Sequence, residues 1–118
     1  MKPNKYKARK TVVDGITFDS AKEARRYGEL KLLERAGKIT HLECQPEFRI
    51  VVNGEQVRAL PDKRGRQGKP LKYVADFAYF EGQRRVVEDC KSVATDTPLS
   101  RFKRALVRHL YHVEVRIT

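Results

Sequence analysis

The sequence has little of what a disulfide-stapled, zinc-centred or membrane-embedded protein requires. Its two cysteines, Cys44 and Cys90, lie far apart and form no CxxC or Cys/His spacing. That excludes a disulfide framework or a zinc site and leaves both as reduced packing residues. No run approaches the roughly 18 apolar residues needed to span a bilayer, and the N-terminus has no apolar stretch of the signal-peptide kind. A soluble, cytoplasmic protein without a membrane partner is expected. Its three histidines, His41, His109 and His112, are scattered, so they read as surface or partly packed side chains rather than as a general base. Acids are also scarce beside bases: 15 Asp plus Glu stand against 26 Lys plus Arg, a net charge of +11. A domain this basic favours a polyanionic partner, and nucleic acid leads.

What is present fits one domain. With 118 residues, 40% of them apolar and 35% charged, the chain can bury one economical core and hold one site. It carries no internal repeat or low-complexity tract. Residues 1–10 hold Lys2, Lys5, Lys7, Arg9 and Lys10 and no acid, which reads either as a basic arm touching phosphates or as a solvated terminus. Residues 11–118 form the domain proper. Asp14-Gly15 between apolar residues predicts a hairpin over 12–18. Ser20 and Glu23 fit a capping box and Gly37 a helix end, so residues 20–36 should be helical, with Glu23, Tyr27, Leu30 and Glu34 on one stripe and Glu23 turned inward.

Residues 39–44 read as a strand interrupted by Pro46, and 48–57 as a second hairpin around Asn53-Gly54. ALPDKRGRQGKP (59–70) has no apolar period and reads as a flexible basic loop bearing Lys63, Arg64, Arg66 and Lys69. LKYVADFAYF (71–80) and 84–91 form an antiparallel hairpin. A helix over 99–111 follows, with Leu99, Phe102, Leu106 and Leu110 on its apolar stripe and Arg101, Arg104 and Arg108 on another side. Residues 113–117 alternate as a closing strand. The expected fold is α/β: helix, three-strand meander, helix, strand, making a mixed sheet flanked by helices.

The segment VVEDCKS (86–92) concentrates the chemistry. Strand alternation puts Val87, Asp89 and Lys91 on one face and Val86, Glu88 and Cys90 on the other, while Asp76 shares a face with Val74, Ala78 and Phe80. A four-residue loop at 81–84 sets Phe80 opposite Arg85 and Asp76 opposite Asp89; a three-residue loop sets Asp76 opposite Glu88. Lys91 favours the first, because only Asp89 has a lysine two residues along on its own face. Two carboxylates this close repel unless a cation intervenes. Mg²⁺ (or Mn²⁺) suits Asp76, Asp89, a main-chain carbonyl such as that of Cys90, and a substrate phosphate. Lys91 would then position water or stabilise charge on phosphorus. A cross-strand ion pair among Asp76, Asp89 and Lys91 is the plainer alternative; the inward Glu23 and the net charge favour the metal site.

Ser20-x-x-Glu23 on a first helix, Asp76 in a central strand, Asp89-Cys90-Lys91 and a basic helix together resemble the PD-(D/E)xK nuclease superfamily. YVADF, VVEDCKS and residues 97–103 are similar to small phage-encoded nucleases related to Holliday-junction resolvases. The resemblance spans residues 11–118. It implies a restriction-endonuclease-like core, Asp76 and Asp89 as metal ligands, Lys91 as the catalytic lysine and Glu23 as a further acidic ligand acting through water. It also implies a phage or prophage protein working in the host cytoplasm, and a homodimer, since two cuts in a junction need two sites. Ala75 stands where the motif's name has proline and Asp89 where glutamate is more frequent, so Glu88 stays open as the second ligand. Gln45-Pro46 resembles a segment near the site in such nucleases, although a polar residue ending a strand explains it equally.

The expected activity is Mg²⁺-dependent hydrolysis of DNA phosphodiesters, selective for branched structures. The alternative is a DNA-binding protein that uses the same scaffold without catalysis. Either would bind through the arm, the 58–70 loop and the helix bearing Arg101, Lys103, Arg104 and Arg108. The contacts would be mainly to phosphates, with no recognition helix or stacking platform in view.

Overall fold

The structure, a computed structural model, describes residues 9–118. Of the expected basic arm only Arg9 and Lys10 fall in that range, both exposed; Lys2, Lys5 and Lys7 lie outside the described residues. The elements are β1 (Thr11–Val13), β2 (Ile16–Phe18), α1 (Ala21–Arg35), β3 (Thr40–Cys44), β4 (Glu47–Arg49), β5 (Val51–Val52) and β6 (Glu55–Gln56). They continue with β7 (Lys72–Val74), β8 (Phe77–Glu81), β9 (Arg84–Asp89), α2 (Pro98–Tyr111) and β10 (Glu114–Ile117). A four-stranded mixed sheet, ordered β10-β9-β8-β3, is the centre. β3, β8 and β9 are antiparallel neighbours, and the chain then crosses through α2 so that β10 lies parallel to β9.

Local chemistry sets most of these boundaries. Asp14 and Gly15 both take positive φ, the type I′ geometry whose twist matches the strands it joins. Asn53 and Gly54 do the same between β5 and β6. The Ser20 side chain caps α1 by accepting the Glu23 N–H at 3.2 Å. The Glu23 carboxylate reaches back to the Asp19 N–H at 3.3 Å, one residue earlier than the reciprocal bond of a capping box. At the other end Gly37, with φ 75°, allows Gly37 N–H to reach Glu34 and Lys38 N–H to reach Leu33, a Schellman closure.

The sheet has a core on each face. Tyr27 and Leu30 of α1 pack with Phe18, Phe77, Tyr79 and Val86; Val107 of α2 packs with Ala78, Val87, Val113, Tyr73 and Phe48. Val86, Val87 and Val107 are fully buried, each contributing about 1.5–3 kcal/mol through removal of apolar surface from water. Tyr27 also donates its hydroxyl to Asp14 at 2.9 Å, fastening the first hairpin to α1.

Four expectations change. Residues 71–80 are not one strand: the chain breaks at Ala75–Asp76 into β7 and β8. The break faces Gln45–Pro46, where Gln45 takes φ 55° and Pro46 has no N–H to offer the ladder. Register persists across it, with Cys44 opposite Phe77 and Glu47 opposite Val74. Faces are exchanged, so Val74 is exposed rather than sharing a buried face with Asp76. Second, 48–57 is not a single hairpin, since β4 pairs with β7 and only β5 and β6 form the short ribbon.

Third, the buried side of α2 runs through Arg104 and Val107, leaving Leu99 and Phe102 exposed. Arg104 can occupy the inner side because Asp96 and Ser100 accept from its guanidinium at 2.5 and 2.8 Å. Fourth, the basic loop 59–70 carries internal hydrogen bonds that its sequence did not suggest. Arg58 bridges to Pro70, Ala59 N–H bonds Lys69, and Asp62 accepts from the N–H groups of Arg64 and Arg66 and from the Arg66 guanidinium. Gly68 is required there, because a Cβ would lie 1.7 Å from the Ala59 carbonyl oxygen.

Candidate functional site

The β8–β9 hairpin decides which acids meet. Its turn is the two residues Gly82 and Gln83, since Glu81 already pairs with Arg84. Phe80 therefore stands opposite Arg85 and Phe77 opposite Glu88. One step further, Asp76 N–H donates to the Glu88 carbonyl at 3.1 Å, which brings the Asp76 carboxyl close enough to that of Asp89 for each to feel the other's charge. Glu88 points to the opposite face.

Glu88 is completely buried on the α1 side, and its charge is compensated there. Arg26 of α1 grips it with Nε at 2.8 Å and Nη2 at 2.7 Å, and the Tyr79 hydroxyl adds a third bond. The pairing with Glu88 holds the Arg26 guanidinium well above its ordinary pKa. Burial, with the bond to Glu88, pushes the Tyr79 phenol up to about 12. This carboxylate has no free side toward solvent.

The Asp76–Asp89 pair differs. Asp89 is 3% exposed and lies on the α2 face, where Tyr73 donates its hydroxyl to it and Lys91 Nζ stands 3.5 Å from the same oxygen. Asp76 accepts the Cys90 main-chain N–H at 2.6 Å. Burial, then the Asp89 carboxyl, raises the Asp76 pKa to about 8 despite that bond. Glu23, at the start of α1, is close enough that Asp89 and Lys91 both influence its charge; burial is the main cause of its raised pKa. Among the described residues no three His, Cys, Asp or Glu side chains converge as a ready-made metal site. Of the four expected ligands, Asp76 and Asp89 are neighbours at the end of the β8–β9 pair, Glu23 feels their charge while accepting the Asp19 N–H, and the Cys90 main chain donates to Asp76.

The Asp89–Lys91 segment is held from outside its strand. Thr118 N–H donates to the Asp89 carbonyl at 3.0 Å and the Thr118 carbonyl accepts Lys91 N–H at 3.2 Å. Lys22 of α1 donates to the carbonyls of Thr118 and Lys91 at 2.8 and 3.2 Å. Cys90 Sγ lies 3.2 Å from Thr118 Oγ1, and burial pushes its thiol up to about 11. Both cysteines are free and partly buried against the α1-side core. Gln45 N–H bonds the Asp76 carbonyl at 2.8 Å, but its side-chain amide turns away to Thr17.

Beside the pair runs a groove of about 530 Å³. Lys69, Lys72, Lys91 and Lys103 line it together with Tyr73 and Leu99, and no acid does. Of the other expected binding residues, Lys63, Arg64, Arg101 and Arg108 are exposed, Arg66 is tied to Asp62, and Arg104 is buried and committed to Asp96. Arg104 therefore holds the 92–97 loop in place and offers no free cation. Its partner Asp96 is held below the usual carboxylate range by that bond.

Arg26, Tyr73, Lys22, Thr118 and Lys72 are the residues that sequence reasoning missed. Arg26 sits three residues after Glu23, on the same side of α1, a weak signal; nothing local pointed to a partner 62 residues away. No membrane-length apolar helix occurs among the described residues. Searches of curated proteins and of solved structures find no match. The family model described as "Protein of unknown function (DUF1064)" matches residues 3–118, and the chain belongs to that family.

Proposed function

We propose that this protein is a divalent-metal-dependent endonuclease that hydrolyses DNA phosphodiesters. The observation that carries the reading is the neighbouring carboxylates of buried Asp89 and half-buried Asp76, with Lys91 3.5 Å from Asp89, beside a groove whose charged residues are all lysines. Two carboxylates this close disfavour each other's ionisation, and a divalent cation held between them would relieve that repulsion. Two carboxylates beside a phosphate-binding groove fit Mg²⁺ or Mn²⁺, which Asp76 and Asp89 would hold. When bound, the cation supplies Lewis-acid stabilisation of charge on the scissile phosphate.

The chain's own residues do the rest. Tyr73 fixes the Asp89 carboxylate by hydrogen bonding, and the Cys90 N–H does so for Asp76. Lys91, anchored through Thr118 and Lys22, brings a positive charge and proton donors to the phosphate oxygens. Lys69, Lys72 and Lys103 attract and align the DNA backbone. The order α1, β3-β8-β9, α2, β10 supports a restriction-endonuclease-like core and the PD-(D/E)xK resemblance. Selectivity for branched DNA and a homodimer belong to the same proposal and rest on that resemblance.

The test is incubation of purified protein with branched and linear DNA and Mg²⁺, beside Asp89→Ala. Cleavage by the wild type alone supports the reading; equal nicking by the variant assigns it to a contaminant or another site. The groove lysines Lys69, Lys72 and Lys103, which can bind phosphates without a metal, favour a second reading, a non-catalytic DNA-binding protein. It predicts metal-independent binding without cleavage.

A further inference from the structure

The surface beside the groove carries apolar side chains that phosphate binding does not use. Leu99 lines the groove at the start of α2, and Phe102 follows one turn later; they are 63% and 62% exposed. Both belong to the helix's apolar stripe, whose other members Leu106 and Leu110 pack partly against the core, while Arg104 and Val107 are the buried residues of α2. Val74 on the facing wall is also open, at 48%. Phe102 is flanked by Arg101 and Lys103, and the acid nearest in sequence, Asp96, is neutralised by Arg104 and Arg101. The result is an aromatic and aliphatic strip inside a cationic rim.

A continuous duplex shows a protein mainly its phosphates and groove edges, leaving such a strip with nothing apolar to meet. A nucleotide that has left its stack exposes a flat π-face, and aromatic side chains beside a basic track are how single strands are held. A second copy of this chain would place one set of Lys69, Lys72, Lys91 and Lys103 against another, a like-charge contact that disfavours self-association here.

We infer that Leu99 and Phe102 form a contact surface for unpaired or unstacked nucleotides, with the groove lysines gripping the adjoining phosphates. The inference rests on the nucleic-acid part of the proposed function and names the feature of the substrate that this site selects. It gives Phe102 a specificity role, separate from the carboxylate chemistry.

The experiment is fluorescence anisotropy in EDTA, so that cleavage plays no part, with a labelled 16-nucleotide single strand, the matching duplex, and that duplex interrupted by a short unpaired bulge. Wild type is compared with Phe102→Ala and Leu99→Ala, and circular dichroism checks that α2 persists; both residues are exposed, so folding is spared. Phe102→Ala is expected to weaken single-strand and bulge binding about tenfold, within the range measured for loss of a stacked base, while duplex affinity stays within about twofold. Equal losses on all three DNAs, or no loss on any, would overturn the inference. So would wild-type self-association in sedimentation that disappears in Phe102→Ala, because the strip would then be an interface between copies. Metal-dependent cleavage lost in Asp89→Ala, alongside unchanged binding by Phe102→Ala, would sink this inference and leave the nuclease reading standing. The reverse pattern would do the opposite.

Discussion

Two neighbouring acids on one strand have opposite fates. Glu88 faces α1 and is closed off by Arg26 and Tyr79; Asp89 faces α2 and meets a second carboxylate, Asp76, with a single lysine at 3.5 Å. The same backbone, offset by one residue, thus yields a satisfied ion pair on one face and an under-compensated acid pair on the other. A buried carboxylate with a two-pronged arginine does structural service. Two neighbouring carboxylates repel, and a divalent cation held between them would relieve that repulsion. The contrast separates scaffold from site more clearly than either residue alone.

The largest effect should come from breaking the closed side. Arg26→Met leaves Glu88 buried and unpaired, which should cost about 3–5 kcal/mol in urea unfolding. The double variant Arg26→Met/Glu88→Leu should recover much of that loss, since removing both partners leaves no orphan charge. If Arg26→Met were neutral, the α1-side pair would not be the structural member of the two.

On the open side, Asp76→Ala and Asp89→Ala should lower Mg²⁺-dependent nicking about a hundredfold or more while leaving the fold intact. Mn²⁺ should then sharpen the contrast by thermal shift. A cation bound only by the folded state adds about 2.7 kcal/mol at a hundredfold excess over Kd, a rise of several degrees that Asp76→Ala should remove.

A separate effect, read as a direction, is on pH dependence. Asp76 holds its proton more tightly when folded, at about 8 against 3.8 for the ordinary carboxyl. Between those values the folded state binds more protons than the unfolded, so metal-free stability should fall as pH rises from about 4 to about 8. Asp76→Asn should flatten this slope in urea titrations at several pH values. An unchanged slope would mean that the pair is not strained.

What could be read from sequence followed local rules. The positive-φ turns, the Ser20 cap, the Gly37 closure and the β8–β9 register all depend on residues close in the chain, and alternation alone put Asp89 and Glu88 on different faces. The break at Ala75–Asp76 was hidden, because LKYVADFAYF has strand-forming residues throughout; its cause is the Gln45–Pro46 step some 30 residues earlier, seen only once the strands pair. The helix α2 misled for a different reason. Its apolar period was real, but the inner side accepted Arg104 once Asp96 could neutralise it. Arg26 and Tyr73 reach their acids from other elements, across 62 and 16 residues, and no spacing rule links such pairs.

The most direct measurement is a calorimetric Mn²⁺ titration of wild type, Asp89→Asn and the Arg26→Met/Glu88→Leu double variant. The Asp76–Asp89 pair as the cation seat predicts saturable binding to wild type and to the double variant, and its loss in Asp89→Asn. Binding that survives Asp89→Asn, or disappears only with the Arg26–Glu88 pair, would contradict it.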